Sequence, residues 1–452
     1  MTGAETIAAV ATAPGAGGIG IVRVSGAAAG RIACTLLGRA PTPRHAHLAA
    51  LHDARGELLD RGLLLFFPAP HSYTGEDVLE LQVHGGPVLL DLLLRRVHAL
   101  GARPARPGEF SQRAFLNGKL DLAQAEAVAD VIAAGSEAAL RAAQRSLFGA
   151  FSVRVQALQT QLTAARVQIE AALDFPDEEL ELLADPALAR TMDALQAALA
   201  SLLEQAHRGL RLARGLEVVL AGVPNAGKSS LLNALAGDDR AIVTSIPGTT
   251  RDVLHAELAL DGIRLQVADT AGLRAARDAI EREGIRRALD AVARADLVLL
   301  VTRAADWPRD LALLRGQAGT LPPLLLVLNK ADLDGSTPAV HEDLDGLPGV
   351  AVSARTGAGL ELLRAELRGR AGIGEGADSA FSARERHVEA LQRAAADVAD
   401  ACAQVRRSGT DGMAELAAES LRRAQRTLDE LTGVHSSEDL LGSIFSSFCI
   451  GK

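Results

Sequence analysis

The residues of this chain whose types and spacing best support chemistry form a glycine-rich loop, Gly222-Val-Pro-Asn-Ala-Gly-Lys-Ser229. An apolar run at 216–221 predicts a buried strand before the loop, and residues 230–236 predict a helix after it. Backbone N–H groups of such a loop turn around an anion, and the helix N-terminus adds positive partial charge. Lys228 can reach terminal phosphates, and the Ser229 hydroxyl can bind Mg²⁺. The sequence therefore predicts a phosphate-binding loop and not an ordinary strand-to-helix turn.

Further motifs end strand-like runs later in the chain, in an order that fits the same site. Asp269-Thr-Ala-Gly272 places a carboxylate beside the Mg²⁺ shell and a glycine N–H where a γ-phosphate would lie. In Asn329-Lys-Ala-Asp332, the Asp332 carboxylate can accept hydrogen bonds from two N–H groups of guanine, whereas adenine offers no matching pair. Ser353-Ala-Arg355 suits the remaining guanine-contacting loop. Together these motifs predict a GTP-binding domain.

The segment 244–252, Thr-Ser-Ile-Pro-Gly-Thr-Thr-Arg-Asp, lies where a switch loop would cover the nucleotide, and Thr250 is predicted to close over Mg²⁺. Leu273 directly follows the Asp-x-x-Gly motif, where many GTPases place a water-orienting glutamine. Leucine cannot hydrogen-bond water, so another polar residue must orient the nucleophile. The following segment offers Arg274, Arg277, Asp278, Glu281 and Glu283. The predicted GTP-binding residues are Asn225, Ala226, Gly227, Lys228, Ser229, Ser230, Thr244, Ser245, Ile246, Pro247, Gly248, Thr249, Thr250, Asp269, Thr270, Ala271, Gly272, Asn329, Lys330, Asp332, Ser353, Ala354 and Arg355.

Composition limits the classes of protein that can carry this site. A chain of 452 residues should hold roughly two to four domains. Hydrophobic residues make up 48% and charged residues 23%, which indicates a globular protein. The three cysteines, Cys34, Cys402 and Cys449, are far apart and show neither a disulfide framework nor zinc spacing. The sequence has no secretory leader pattern and no apolar run of about 18 residues, so we expect a cytoplasmic protein without a membrane span.

The alternation of strand-like and helical patterns along the sequence predicts a multidomain α/β chain in which a P-loop GTPase domain is inserted into an α-helical bundle domain. We expect an α+β domain at 1–118, helical segments at 119–214 and 375–452, and the GTPase (G) domain at 215–374. Two independent helical bundles are the alternative. The glycine cluster at 14–20 leads into a strand-like run and not into a helix, so it does not fit a dinucleotide fingerprint. The net charge of −9 gives no overall attraction to nucleic acid.

Over essentially its whole length the sequence resembles the bacterial tRNA-modification GTPase family called MnmE or TrmE. Besides the GTPase motifs, the resemblance rests on residues 13–26, 72–77, 107–119, 248–252 and 448–452. The segment Phe110-Ser-Gln-Arg-Ala-Phe115 and the C-terminal Phe-Cys-Ile-Gly-Lys are the most specific of these. The chain departs from the usual family pattern at Ala16, Pro247 and Thr302. At Thr302 the family usually has an aspartate.

The resemblance implies a homodimer whose α+β N-terminal domain binds tetrahydrofolate, either 5-formyl- or methylene-tetrahydrofolate. With a flavoprotein partner, MnmG, in a heterotetramer or larger assembly, the family installs a carboxymethylaminomethyl-type group at C5 of the wobble uridine of certain tRNAs. The folate supplies the one-carbon unit, and FAD is present only through the partner. By similarity, Arg23, Glu80, Lys119 and Lys452 would bind the folate.

The resemblance also implies K⁺ beside the phosphates, held by Asn225, Thr244, Ile246 and Thr249, in addition to Mg²⁺ at Ser229 and Thr250. Such a cation neutralises charge that develops in the transition state, much as an arginine finger does. Glu281 matches the family residue that orients water once two G domains meet. The expected catalytic residues are thus Glu281, Lys228 and Thr250.

Two other functions stay open at this level. The G domain alone would also suit a regulatory or ribosome-assembly GTPase without covalent chemistry. The N-terminal domain would suit a folate-dependent enzyme that works alone with GTP as an allosteric effector. Cys449 can be a nucleophile for one-carbon chemistry or a small side chain that lets the C-terminal tail dock near the folate, and we favour the second interpretation.

Overall fold

The computed structural model of the chain describes residues 5–174, 186–236, 257–260, 263–267, 289–318, 321–371, 380–407, 413–434, 438–446, 448 and 451. The chain divides into two compact units. The first contains residues 1–129, 146–200 and 389–452, and the second contains 130–145 and 201–388. Among the helices within these described ranges, none is long and apolar enough to span a membrane.

A six-stranded sheet forms the N-terminal part of the first unit. Its strands are β1 (Ile7–Val10), β2 (Gly17–Ser25), β3 (His47–His52), β4 (Leu58–Phe67), β5 (Val78–Gly85) and β6 (Arg103–Pro104), in the order β3-β4-β5-β2-β1-β6. Neighbouring strands are antiparallel except for β1 and β6. The glycine cluster leads into β2 and not into a helix, as the sequence predicts.

Helices cover this sheet because its strands alternate buried and exposed residues. The helices α1 (Ala29–Leu37) and α2 (Pro87–Ala99) share one apolar core with strand residues such as Val22 and Leu81. The short helix α3 (Glu109–Leu116) contributes Phe110 to a smaller cluster with Ile7 and Ala9. A sheet with helices packed on it is the predicted α+β arrangement.

Longer helices follow, where the sequence changes to alanine- and leucine-rich stretches. They are α4 (Leu122–Ala133), α5 (Glu137–Leu147), α6 (Ala150–Asp174) and α7 (Pro186–Arg214). Pro186 is the first residue of α7, as predicted, since proline at this position loses no helical hydrogen bond.

The second unit contains a seven-stranded sheet. Its strands are β7 (Leu216–Ala221), β8 (Glu257–Leu260), β9 (Ile263–Val267), β10 (Leu297–Thr302), β11 (Leu324–Leu328), β12 (Val340–Leu344) and β13 (Leu347–Ala351), in the order β12-β13-β11-β10-β7-β9-β8. The five central strands are parallel, and the two edge strands are antiparallel to their neighbours. The strands β7, β10 and β11 are nearly continuous runs of leucine and valine, as expected when both faces of a sheet are covered.

Helices of the second unit lie on both faces of this sheet. The helices that follow individual strands are α8 (Lys228–Ala236), α9 (Trp307–Ala318), α10 (Ala331–Asp334) and α11 (Leu360–Arg370). Leu231 and Leu363 belong to one core cluster, whereas Leu311 and Leu314 belong to another on alternate strand residues. This doubly wound arrangement places ligands at the carboxyl ends of the parallel strands.

Helices return after the second sheet as α12 (Glu385–Arg406), α13 (Met413–Thr432) and α14 (Glu438–Ser446). Within the first unit, α13 packs against α6. The Gln159 amide donates a hydrogen bond to Asp429 at 2.6 Å, and Arg166 donates one to Gln425 at 2.6 Å. Helices from before and after the second sheet therefore pack together, which favours one interrupted helical domain over two independent bundles.

Candidate functional site

The predicted phosphate-binding loop connects the carboxyl end of β7 to the first turn of α8. Asn225 and Gly227 both have positive φ angles, of 63° and 98°. A Cβ atom added to Gly227 would collide with the side-chain amide nitrogen of Asn329, so only glycine fits there. The loop thus has the tight turn and the close backbone approach that a phosphate cradle needs.

The functional side chains of this loop are oriented differently from one another. Lys228 is 7% exposed, and its ammonium donates a hydrogen bond to the carbonyl oxygen of Gly222 at 2.7 Å. Ser229 and Ser230 are exposed in the first turn of α8. The lysine therefore lies across the loop, while the serine hydroxyl at the helix start is accessible to an ion.

The predicted base-recognition residues lie beside this loop, because β11 and β13 are adjacent parallel strands that end at the same edge of the sheet. The buried Asn329 amide donates to the carbonyl oxygen of Ala226 at 2.9 Å and accepts the N–H of Ala354 at 3.1 Å. The Lys330 ammonium donates to the carbonyl oxygen of Asn225 at 2.8 Å. The structure therefore brings both motifs into one site, as the sequence predicts.

Asp332 is exposed, and one of its carboxylate oxygens accepts a hydrogen bond from the Ser353 hydroxyl at 2.7 Å. Ser353 is 1% exposed and also accepts the N–H of Thr356 at 3.2 Å. This pairing fixes the direction of the Asp332 carboxylate, whose other oxygen is available for a ligand N–H. Arg355 is exposed on the same loop.

Part of the predicted nucleotide site lies outside the described residues. These residues are Thr244, Ser245, Ile246, Pro247, Gly248, Thr249, Thr250, Asp269, Thr270, Ala271, Gly272, Leu273 and Glu281. Lys452, predicted for the folate site, and Cys449 in the C-terminal tail also lie outside the described residues.

A cavity of about 320 Å³ lies on the β10 side of the phosphate loop. Its walls include Asn225 and a buried pair that the sequence reasoning did not find, Thr302 and Asp310. The Thr302 hydroxyl donates to the Asp310 carboxylate at 2.7 Å, and the Thr302 carbonyl oxygen accepts the N–H of Asn329 at 2.7 Å. The sequence contains one signal of this pair, because Thr302 departs from the family pattern.

A second polar site occurs on the N-terminal sheet, where Arg23 on β2 lies directly opposite Glu80 on β5. The guanidinium donates through Nε to Oε1 of Glu80 at 2.9 Å, and Nη2 lies 2.9 Å from the same oxygen. The Arg23 guanidinium carbon is 5.5 Å from the ring centre of Tyr73 and 5.9 Å from that of Phe110. Two of the predicted folate-binding residues are therefore paired.

The segment 70–77 is joined to α3 and the residues after it by a series of hydrogen bonds. The Tyr73 hydroxyl is 2.8 Å from the Ser111 hydroxyl, and Arg113 donates to Glu76 at 2.9 Å. The Lys119 ammonium donates to the carbonyl oxygen of Pro70 at 3.0 Å. The two motifs that carry much of the family resemblance are thus in contact, and Lys119 is connected to the Arg23 site through this segment.

Burial and ion pairing shift two pKa values here. Burial raises the pKa of Tyr73, against the opposing effects of its Ser111 hydrogen bond and of Arg23. Burial would also raise the pKa of Glu109, but hydrogen bonds from Arg103, the N–H of Arg106 and Arg113 outweigh it and lower that pKa to about 2. Sequence reasoning did not identify this Glu109 cluster.

The C-terminal tail docks on the same sheet. Phe448 is buried with Leu122 and Phe445, and Gly451 lies against Val10 with φ 99°. A Cβ atom on Gly451 would overlap the carbonyl oxygen of Val10. Because Val10 is one residue from the β1 position opposite Arg23, Gly451 lies close to the strand pair that contains Arg23.

Comparisons with known proteins agree with this architecture. Residues 6–119 match the family model "GTP-binding protein TrmE N-terminus", and residues 122–449 match "MnmE helical domain". A protein of Stutzerimonas stutzeri named tRNA modification GTPase MnmE is 54% identical over 457 residues, with 99% of both chains covered. A protein of the same name from Alkalilimnicola ehrlichii is 56% identical over 451 residues, again with 99% of both chains covered.

Among solved structures, the G domain of the T. maritima FeoB iron transporter is 28% identical and covers 34% of this chain and 98% of its own, with a TM-score of 0.27. The family matches and the two sheets confirm the predicted fold class, an α+β N-terminal domain followed by a helical domain that a P-loop α/β domain interrupts. With a family model matched over residues 122–449 and full-length relatives more than half identical, the chain belongs to the MnmE (TrmE) family.

Proposed function

We propose that this chain hydrolyses GTP and, with the flavoprotein partner MnmG, uses a tetrahydrofolate one-carbon unit to add a carboxymethylaminomethyl-type group at C5 of the wobble uridine of certain tRNAs. The observation that carries the proposal is the Asn329 amide bridging the phosphate and base-recognition loops. It supports guanine nucleotide binding in a chain whose relatives are named tRNA modification GTPases.

In the proposed nucleotide site, the phosphate loop surrounds the phosphates, and Lys228 leaves the carbonyl oxygen of Gly222 to meet them. Asp332 accepts the two N–H groups of guanine, in a direction set by Ser353. Thr250 closes over the nucleotide and Glu281 orients the attacking water. These roles lie in residues 225–230, 244–250, 269–272, 329–332 and 353–355.

The donor atoms present fit the proposed ions. Ser229 has an exposed hydroxyl at the start of α8 and would hold Mg²⁺ together with Thr250. Asn225 is exposed in a left-handed conformation inside the loop and would hold K⁺ with oxygens of Thr244, Ile246 and Thr249. When bound, these ions supply positive charge where negative charge develops on the phosphates.

The proposed folate site contains Arg23, Glu80, Lys119 and Lys452. Glu80 uses Oε1 for Arg23, so its Oε2 can accept N–H groups of a pterin edge. Lys119 and Lys452 provide positive charge for the glutamate tail of the folate. The docking of Gly451 beside Val10 supports the placement of Lys452, and Cys449 serves as a small side chain in that tail.

The proposed organisation is a homodimer in the cytoplasm, with a folate domain at 1–118, a helical domain at 119–214 and 375–452, and a G domain at 215–374. GTP binding brings two G domains together, and MnmG joins in a heterotetramer or larger complex that accepts tRNA.

The test is complementation of a bacterial strain that lacks its own relative of this chain, with mass spectrometry of the tRNA nucleosides. We expect the wild-type chain to restore the C5 modification and Lys228→Ala to fail. Growth restored without the modification would instead support a regulatory or ribosome-assembly GTPase. Modification in a strain that also lacks MnmG would support the folate enzyme that works alone.

A further inference from the structure

The aromatic residue Tyr73 lies at the Arg23–Glu80 pair and has no role in the proposed function so far. It is the single tyrosine of the chain. Its ring and that of Phe110 both lie against the Arg23 guanidinium, whose carbon is 5.5 Å from the Tyr73 ring centre and 5.9 Å from that of Phe110. Phe110 is fully buried, whereas Tyr73 is only partly buried. Of the two rings, Tyr73 is therefore the one that a ligand at Arg23 and Glu80 can reach.

Hydrogen bonds to buried neighbours fix the orientation of the Tyr73 ring. Its hydroxyl bonds to that of Ser111, which is completely buried. The carbonyl oxygen of the next residue, Thr74, accepts a hydrogen bond from Asn117 at 2.7 Å, and the Thr74 hydroxyl bonds to Ser25 at 2.7 Å. A ring held in this way loses little conformational entropy when a ligand binds against it.

The groups around the ring favour one class of ligand. The Glu80 carboxylate has an oxygen for N–H donors. The Tyr73 phenol is neutral at physiological pH, as an ordinary tyrosine is, and burial raises its pKa further. A neutral aromatic face beside a carboxylate suits a flat, neutral heterocycle with N–H groups on its edge.

We infer that Tyr73 is a further ligand-contacting residue, whose ring stacks on the pterin-type heterocycle that Glu80 binds by its edge. The inference rests on the proposed folate site and adds a recognition element that distinguishes the two ends of the ligand. Tyr73 contacts the bicyclic ring system, whereas the p-aminobenzoylglutamate end extends toward basic residues. Ser111 positions the ring without touching the ligand.

The first experiment measures binding of 5-formyltetrahydrofolate and of p-aminobenzoylglutamate, which has no pterin, to the full-length protein by calorimetry. We expect Tyr73→Leu to weaken folate binding about tenfold and to leave binding of p-aminobenzoylglutamate unchanged. Tyr73→Phe keeps the ring and should stay within about threefold of wild type. Leu48→Ala removes a side chain that is 75% exposed on the same sheet and is the matched control. Equal affinities for folate in wild type and Tyr73→Leu would overturn the inference, as would equal losses for both ligands.

The second experiment uses the unsubstituted chain and so does not depend on the folding of a variant. Because the chain has one tyrosine, tyrosine-labelled protein gives a single set of ring signals in NMR spectra. We expect nuclear Overhauser contacts between the Tyr73 ring and pterin protons, with none from p-aminobenzoylglutamate. Folate binding without such contacts would disprove the stacking of Tyr73 on the pterin but would not contradict the proposed folate site. If wild type binds no folate, the proposed folate function fails and this inference fails with it.

Discussion

The side-chain amide of Asn329 donates a hydrogen bond of 2.9 Å to the carbonyl oxygen of Ala226, across 103 residues of sequence. The amide oxygen accepts the backbone N–H of Ala354 at 3.1 Å. Asn329 is 2% exposed, so water offers little replacement for either bond. One side chain therefore holds the phosphate loop and both base-recognition loops in a fixed relationship.

Asn329→Ala should weaken binding of GDP about 30-fold. The substitution removes two buried hydrogen bonds worth ~1 kcal/mol each, and it leaves their backbone partners unpaired. Titration calorimetry measures the change. Asn233→Ala removes an exposed amide from α8 and is the control, which should bind GDP as wild type does. Unchanged affinity in a folded Asn329→Ala protein would show that the bridge does not organise the site.

Asp332→Asn should reverse the base preference of the site. The Asp332 carboxylate accepts hydrogen bonds from guanine N–H groups, whereas the asparagine amide turns an N–H donor toward one of them. GTP affinity should therefore fall at least ~100-fold, and xanthosine triphosphate should bind better than GTP. Competition between the two nucleotides measures the preference. Asp334→Asn, two residues further along and paired with Arg303, should keep the preference for GTP. A site that still favoured GTP after Asp332→Asn would contradict the assigned role.

The sequence predicts most of the nucleotide site because the required signals are local. A strand, a glycine-rich turn and a helix follow one another at 216–236, and the motif Asn329-Lys-Ala-Asp332 directly follows the apolar strand β11. The parallel sheet is also accessible to prediction, since β7, β10 and β11 are largely apolar runs.

Individual side-chain contacts are not predictable in this way. The bonds from Arg113 to Glu76 and from Thr302 to Asp310 depend on tertiary packing, which leaves no periodic pattern in the sequence. Edge strands also give weak signals. The strand β3 reads His-Leu-Ala-Ala-Leu-His, without the β-branched residues that favour strands, and β6 has only two residues.

Gly451→Ala should displace the C-terminal tail and weaken binding of 5-formyltetrahydrofolate by about tenfold or more. The added methyl group would overlap the carbonyl oxygen of Val10, and the φ angle of 99° disfavours alanine independently. Fluorescence titration measures the affinity. Gly442→Ala in α14 meets no atom within 4 Å and should bind folate like wild type. Equal affinities for the two variants would remove the tail from the folate site.

Glu109 should make the N-terminal sheet sensitive to acid. Its folded-state pKa of about 2 is below the ordinary value of 4.5, so its ion pairs stabilise the protein above pH 4.5 and this stabilisation is lost as the pH falls toward 2. The full effect is about 3 kcal/mol. The difference in urea unfolding free energy between wild type and Glu109→Gln should therefore shrink on acidification. Glu137→Gln breaks an exposed ion pair with Arg141 and should cost at most about 1 kcal/mol.

Thr302→Asp, which restores the residue usual in the family, should destabilise this particular chain. Thr302 is completely buried and Asp310 is 3% exposed, so the substitution places a second carboxylate against a buried one. The repulsion and lost hydrogen bond should cost about 3 kcal/mol in unfolding free energy. Asp310→Asn in the same molecule removes the repulsion and should recover most of the loss, which a double-mutant cycle of urea unfolding measures. Additive effects of the two substitutions would mean that the Thr302 and Asp310 side chains are not coupled, and that the threonine is no adaptation to its aspartate neighbour.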